Sequence, residues 1–346
     1  MDAVSLMTAA SLNDLGLVRS SRGDLDGATE PYRQALAIHE KLAPDSLPVA
    51  ASLNNLGILA FRRGDLRAAE DYFRRGLEIR ERLDPASVDL ARLLNNMGFL
   101  AATRGDLAAA EASYRRSLAI TESVAPQSLD VASTLSNLGL VFQDRGDLAE
   151  ADSHFRRALA IQDRLAPESI EAARSLGNLG TGAAQRGDLA AATAYLSRVL
   201  AIMEKLAPGS DDVAVTLNNI GAFAAESHDF ASAQGYLRRG LEIREKLAPD
   251  GLDVSYSLRS LGETAWEQGD HAAAEAYHER ALVIQAREAP DSLDVAGTLR
   301  NLSAAARVRG DLAHAEGLAH KSVALTRRLA PGSAAEADSL HTLGLR

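Results

Sequence analysis

One interval governs this chain. A glycine, usually preceded by leucine, stands at Gly16, Gly57, Gly98, Gly139, Gly180, Gly221 and Gly262, each 41 residues from the last, with Ser303 in the eighth place and Gly344 in the ninth. A Gly-Asp pair keeps the same step at Gly23-Asp24, Gly64-Asp65, Gly105-Asp106, Gly146-Asp147, Gly187-Asp188, Gly269-Asp270 and Gly310-Asp311; His228-Asp229 is the one departure. Prolines recur in phase at Pro44, Pro85, Pro126, Pro167, Pro208, Pro249, Pro290 and Pro331. Three markers in one register, with no insertion, specify a stack of like units rather than one closed core. The units run approximately over 9–49, 50–90, 91–131, 132–172, 173–213, 214–254, 255–295 and 296–336, with 337–346 a partial ninth, so 1–346 reads as one repeat domain.

Each unit reads as two helices. In the second, Leu53, Leu56 and Ala60 share one helical face, which predicts a first helix over about 49–63. Gly64 stands where a helix closes on a left-handed residue, and Asp65 follows as the cap of the next helix. That second helix carries Leu66, Ala69, Phe73, Leu77 and Ile79 inward and stops at Asp84-Pro85, because proline cannot continue the hydrogen-bond ladder. The segment 86–89 leads into the next unit. The leucines Leu12, Leu53, Leu94, Leu135, Leu176, Leu217, Leu258, Leu299 and Leu340 are expected to form a buried spine. Gly57 and its counterparts let the two helices of a unit approach.

Composition removes several functions. There is no cysteine, hence no disulfide framework or thiolate metal site, and a reducing cytoplasmic setting is expected. The first residues lack the basic and apolar regions of a secretory signal, and no apolar run approaches the ~20 residues of a membrane span. The net charge of −10 disfavours nucleic acid. The doublets Arg74-Arg75, Arg115-Arg116, Arg156-Arg157 and Arg238-Arg239 read as a solvated face paired with carboxylates such as Glu70, Glu78 and Glu81. The eight histidines include no i, i+4 pair, so no metal site is expected. Gly177, Gly180 and Gly182 fall inside a helix with no preceding strand, which removes a phosphate loop. Nothing points to nucleophilic or acid–base catalysis, and no cofactor is expected.

The unit Ala51-Ser52-Leu53-Asn54-Asn55-Leu56-Gly57, then Arg63-Gly64-Asp65-Leu66, Ala69, Phe73, Gly76-Leu77 and Ile79, resembles the tetratricopeptide repeat. The long second helix, the Leu-Asn-Asn-Leu signature, the phrase Ala-Leu-Ala-Ile-His-Glu-Lys-Leu at 35–42 and Pro31 within a helix resemble its kinesin light chain subclass. Similar arrays, bacterial ones among them, precede CHAT-type peptidases and form sensor regions of signalling NTPases. The resemblance spans essentially the entire chain. It implies an all-α, right-handed superhelical solenoid of antiparallel helix pairs, with eight full repeats and a C-terminal half repeat. Unit eight departs from the pattern at Ser303. The final half-unit reads either as a cap or as a boundary before a further segment.

The same resemblance implies that residues just before the Leu-Gly pair look into a concave groove lined by the first helices. Here these are Asn13, Asn54-Asn55, Asn95-Asn96, Asn137, Asn178 and Asn218-Asn219, giving way to Arg259 and Arg300. An amide carries both donor and acceptor, so a ladder of them suits the backbone of an extended peptide. The first residue of each pair is expected at the groove. The second is expected to divide between the groove and ties to the adjacent unit. One turn before the pairs lie Arg92, Arg174 and Tyr256; one turn after lie Leu17, Ile58, Phe99 and Glu263. The expected partner is a protein or peptide segment with an apolar part and an acidic part, the latter met by Arg259 and Arg300, although Glu263 and Glu267 oppose it. Trp266, the only tryptophan, reads equally as an anchor or as filler near a turn. A regulatory arm of a larger effector and end-to-end self-association are the alternatives to a simple binding scaffold.

Overall fold

The computed structural model describes residues 2–344, with side chains from residue 4 onward. Met1 and the last two residues of the partial ninth unit lie outside the described residues. The first helices of successive units are α1 (Asp2–Ser21), α3 (Leu47–Arg62), α5 (Val88–Thr103), α7 (Leu129–Asp144), α9 (Ile170–Gln185), α11 (Asp211–Glu226), α13 (Leu252–Glu267), α15 (Leu293–Arg309) and α17 (Ala334–Leu343). The second helices are α2 (Leu25–Leu42), α4 (Leu66–Leu83), α6 (Leu107–Val124), α8 (Leu148–Leu165), α10 (Leu189–Leu206), α12 (Phe230–Leu247), α14 (His271–Glu288) and α16 (Leu312–Leu329). No strand occurs among the described residues. Helix α3 begins two residues earlier than the expected Val49, where Ser46 stands in extended backbone and Pro48 fits the first turn, in which an N–H is not needed.

The chain divides into two compact blocks, Met1–Ser175 and Leu176–Arg346. In the first, α1 packs on α2, α3 on α4, α5 on α6 and α7 on α8, and α2, α4 and α6 each pack on the first helix of the next unit. In the second, α11 pairs with α12, α13 with α14 and α15 with α16, while α10, α12, α14 and α16 pack forward in the same way.

The turn inside each unit is fixed by backbone chemistry. Gly64 has φ +80°; its N–H donates to the Phe61 carbonyl, and the Asp65 N–H reaches back to the Ala60 carbonyl at 2.9 Å. This double closure uses carbonyls left free at the helix end and needs a left-handed residue. Asp65 then accepts from the Ala68 N–H at 3.0 Å, and Asp24, Asp106, Asp188, Asp229, Asp270 and Asp311 cap in the same way. His228 takes the glycine's role at φ 60°. Pro31 removes a donor from α2, and the Gly27 carbonyl it would have bonded accepts from Arg19 Nη1 at 2.8 Å.

The core repeats one contact. A large side chain from the second helix lies flat on the glycine of the first. A Cβ at Gly16 would come within 2.6 Å of the Tyr32 ring, at Gly98 within 2.7 Å of Tyr114 and at Gly139 within 2.6 Å of Phe155; at Gly57 it would enter the ring of Phe73. Gly180 is looser, its added Cβ 3.4 Å from Leu196. In unit eight both partners change together: Ser303 replaces the glycine, Ala319 occupies the ring's place, and the Ser303 hydroxyl donates to the Ala315 carbonyl at 2.7 Å.

The leucine spine is buried from Leu53 to Leu299. Leu12 and Leu340 are only half-buried, a correction to the sequence expectation, since α1 and α17 each have described neighbours on one side only. Seams between units carry a buried polar contact that differs from seam to seam. His39 Nδ1 lies 2.9 Å from Ser52 Oγ, Arg244 donates to Ser257 at 3.0 Å, and Thr298 donates to Gln285 at 2.8 Å.

Two substitutions test this packing by urea unfolding. Gly57→Ala is expected to destabilise by about 1–3 kcal/mol through overpacking, whereas Gly180→Ala is expected to be neutral or stabilising, because alanine is a better helix former by up to about 1 kcal/mol. His228→Gly should stabilise by about 1 kcal/mol by releasing the left-handed strain; an unchanged or lower midpoint would contradict it.

Candidate interaction face

The odd-numbered helices α1, α3, α5 and α7 lie side by side in the first block. Along them Leu17, Ile58 and Phe99 occupy one place in the step and are exposed by 60%, 38% and 48%, while Leu140 is half-buried. Phe99 leans on Phe61 of the preceding unit, ring centroids 5.0 Å apart. Four large apolar side chains in line on adjacent helices exceed the scattered exposure of an ordinary surface.

The asparagines beside this row are half-buried and largely engaged. Asn96 Nδ2 donates to Asn54 Oδ1 at 2.9 Å, and Asn137 Nδ2 donates to Asn95 Oδ1 at 3.1 Å. The second amide of one unit therefore holds the first amide of the unit before it. Asn13 donates to Ser52 at 3.3 Å and Asn218 to Ser257 at 2.8 Å; the side-chain oxygens of both are buried without a partner. Asn55 and Asn178 are half-buried, and Asn219 is exposed. The first residue of a pair is thus a rung between units, and where it accepts from the next unit's amide it keeps one acceptor lone pair and both of its N–H groups.

The charged residues singled out from the sequence also have partners. Arg92 forms a two-pronged pair with Asp130 at 3.0 and 3.1 Å. Tyr256 donates to Asp294 at 3.2 Å, and Arg259 donates to the other oxygen of Asp294 at 2.6 Å. Arg300 pairs with Asp338 at 2.9 Å. Arg174 is exposed. On the opposite helices the second arginine of each doublet reaches one unit back: Arg75 to Glu40, Arg116 to Glu81, Arg157 to Glu122 and Arg239 to Glu204. Each exposed pair is worth at most about 1 kcal/mol, but the row neutralises one arginine of each doublet, in keeping with a solvated face. No group of residues able to hold a metal occurs among the described residues, and no described helix is long and apolar enough to cross a membrane.

One cluster was not legible as a site. Glu263, Trp266 and Glu267 of α13, His278 of α14, and Asn301 and Ala304 of α15 line a recess of about 210 Å³. His278 fills the place of the ring that covers the glycine in other units, its imidazole against Gly262. Burial, with the positive charge of Arg259, pushes its pKa down to about 4. Burial pushes the Glu263 carboxyl up, against the opposing pull of Arg259 and Arg300. The sequence signals were the single tryptophan and the change from Phe99 to Ala304 at one place in the step.

A sequence model described as tetratricopeptide repeat matches residues 6–82, 48–123, 89–164, 130–205 and 212–286, and a second of the same description matches 295–331. Among solved structures, BtubC (BKLC) from P. vanneervenii is similar at 25% identity and a TM-score of 0.55, over 70% of this chain and 91% of that one. The apo form of RapI is similar at 17% identity and a TM-score of 0.56, over 82% of this chain and 99% of its own. A signal transduction ATPase with a tetratricopeptide repeat sensor, from Pyrococcus horikoshii, gives a TM-score of 0.72 at 12% identity, over 94% of this chain and 48% of that one, so this chain spans about half its length. The latter two likenesses concern the fold alone. Comparison with curated proteins gave no match.

The His278 shift sets a pH dependence. Its folded pKa of about 4 lies below the ~6.5 of an unfolded histidine, so the folded chain resists protonation. Its contribution is complete above pH ~6.5 and is lost as pH falls through that value toward 4. His278→Phe, which copies the ring used at Phe73 and Phe155, should remove about 2–3 kcal/mol of the stability lost between pH 7 and pH 4.5. The remaining acid sensitivity includes His39 and His154, whose pKa values burial also lowers. Equal pH slopes for the two proteins would contradict the assignment.

Proposed function

The chain belongs to the tetratricopeptide repeat family, and from that premise we propose that it is a non-catalytic interaction module that takes a peptide or partner segment on the face of its odd-numbered helices. The unbroken 41-residue step supports reading 1–346 as one array of a single kind of unit. The observation that carries the proposal is the exposed row Leu17, Ile58 and Phe99, set beside the amide rungs of Asn54 and Asn95. Covering those three side chains would contribute about 25 cal/mol for each Å² of apolar surface removed from water. The rungs leave Asn54 and Asn95 able to bond a guest backbone without demanding a particular side chain.

An acidic part of the guest has weaker support. A carboxylate arriving at Arg259 or Arg300 would exchange one ion pair for another, because Asp294 and Asp338 already hold them. Such an exchange is nearly neutral in energy. Binding in this reading therefore comes mainly from the apolar row, with the amides fixing the guest's direction.

The test is a displayed peptide library selected on the full chain. Enriched peptides are expected to carry apolar residues and to lose at least tenfold in affinity for Ile58→Asp/Phe99→Asp. They should keep their affinity for a chain altered on the opposite helices, such as Glu78→Lys. Failure to enrich, or binding indifferent to Ile58 and Phe99, would overturn the reading.

A further inference from the structure

We propose that the recess between α13, α14 and α15 receives the guanidinium side chain of an arginine presented by a partner segment. The inference does not depend on the apolar row, which lies in the other block, so either can fail alone.

The recess exists because of one exchange of size. Phe61 is met by Phe99 of the following unit, ring centroids 5.0 Å apart. Trp266 is the counterpart of Phe61, and Ala304 is the counterpart of Phe99. The small Ala304 leaves open the space a phenyl ring would fill, and the indole lines one wall of it. On its other side Trp266 is braced by His271, ring centroids 4.4 Å apart. A cavity of about 210 Å³ admits one long side chain and no larger element.

The polar groups around it select the sign of the guest. Glu263 and Glu267 stand one helical turn apart at the mouth. The two nearby arginines are committed elsewhere, Arg259 to Asp294 at 2.6 Å and Arg300 to Asp338 at 2.9 Å, and Arg259 reaches Glu263 only at 3.7 Å. The lining of the recess itself thus carries two carboxylates and no lysine or arginine, which leaves it negative. Burial raises the Glu263 pKa against the pull of Arg259 and Arg300, and a bound cation would favour its charged form. Deeper in, His278 is 2% exposed, and its Nδ1 has no partner. The low pKa keeps the ring neutral, so it adds no positive charge that would oppose a cationic guest. The Asn301 amide adds a further acceptor on the wall.

A guanidinium answers each of these features. Its plane stacks on an indole, its five N–H groups serve the two carboxylates and the Asn301 amide oxygen, and its weak hydration eases entry. An ammonium ion supplies fewer donors and does not stack. A carboxylate would meet Glu263 and Glu267, and an apolar group would leave their charge unanswered.

Trp266 is the only tryptophan, so its emission reports the recess directly in the full chain. N-acetyl-arginine amide is titrated at low ionic strength, with N-acetyl-citrulline amide as the neutral isostere and the lysine and glutamate amides as comparators. A saturable change is expected for arginine, at least tenfold weaker for citrulline and for glutamate, with lysine between. Ala304→Phe, which copies Phe99, should abolish the response while leaving the helical signal intact. Glu263→Gln/Glu267→Gln should weaken it at least tenfold. Citrulline matching arginine, glutamate binding more tightly, or an absent saturable response would overturn the proposal. If the glutamine variant fails to fold, the arginine–citrulline comparison on the unaltered chain decides alone. Loss of library-selected peptides with a retained arginine response would remove the apolar-row reading and leave this one standing.

Discussion

The structure depends on a close approach between the two helices of a unit, made in the first seven units where a ring or a leucine lies on a glycine. Glycine inside a helix costs up to about 1 kcal/mol relative to alanine, so Gly57 and its counterparts must be offset by the contact they allow. The approach sets the spacing of each hairpin. That spacing places the leucine spine between units, and the spine holds the odd-numbered helices side by side. The exposed row of Leu17, Ile58 and Phe99 follows from the same spacing, because their neighbours Leu56, Leu59 and Leu100 are drawn into the core.

Unit eight shows the constraint from the other side. Ser303 and Ala319 change in opposite directions in size, and the extra hydroxyl finds the Ala315 carbonyl. At Gly262 the covering ring is an imidazole, which brings a buried nitrogen into a place where other units have carbon. The recess beside Trp266 lies next to that substitution. Departures from the repeat are therefore where chemistry enters an otherwise uniform core.

Helices, turns and spine were legible in the sequence because each rests on local rules. Glycine alone adopts φ near +80° at little cost, aspartate caps the next helix, and proline stops it. The serine caps of the first helices, such as Ser87 on Leu90 and Ser210 on Val213, rest on the same local chemistry. The specific partners of the amide rungs and of the ion pairs between units were not legible. Asn96 meets Asn54, and Arg92 meets Asp130, across units 38 to 42 residues away. Which long side chain meets which depends on the lateral offset of packed helices, and the sequence step does not encode that offset. For the same reason Arg259 and Arg300 read as free charges in the sequence and stand paired in the fold.

The central claim is that the glycine and the ring covering it form one coupled unit of size, and a double-mutant cycle at Gly57 and Phe73 tests it most directly. Gly57→Ser and Phe73→Ala are each expected to destabilise in urea unfolding, the second by about 3–5 kcal/mol from the cavity it leaves. Combined, they reproduce the Ser303–Ala319 arrangement, and the serine hydroxyl gains the Ala69 carbonyl as its counterpart acceptor. The account predicts that the double variant is more stable than the sum of the single effects allows, by about 1–3 kcal/mol. Strictly additive losses would show that the two residues act independently and would contradict it.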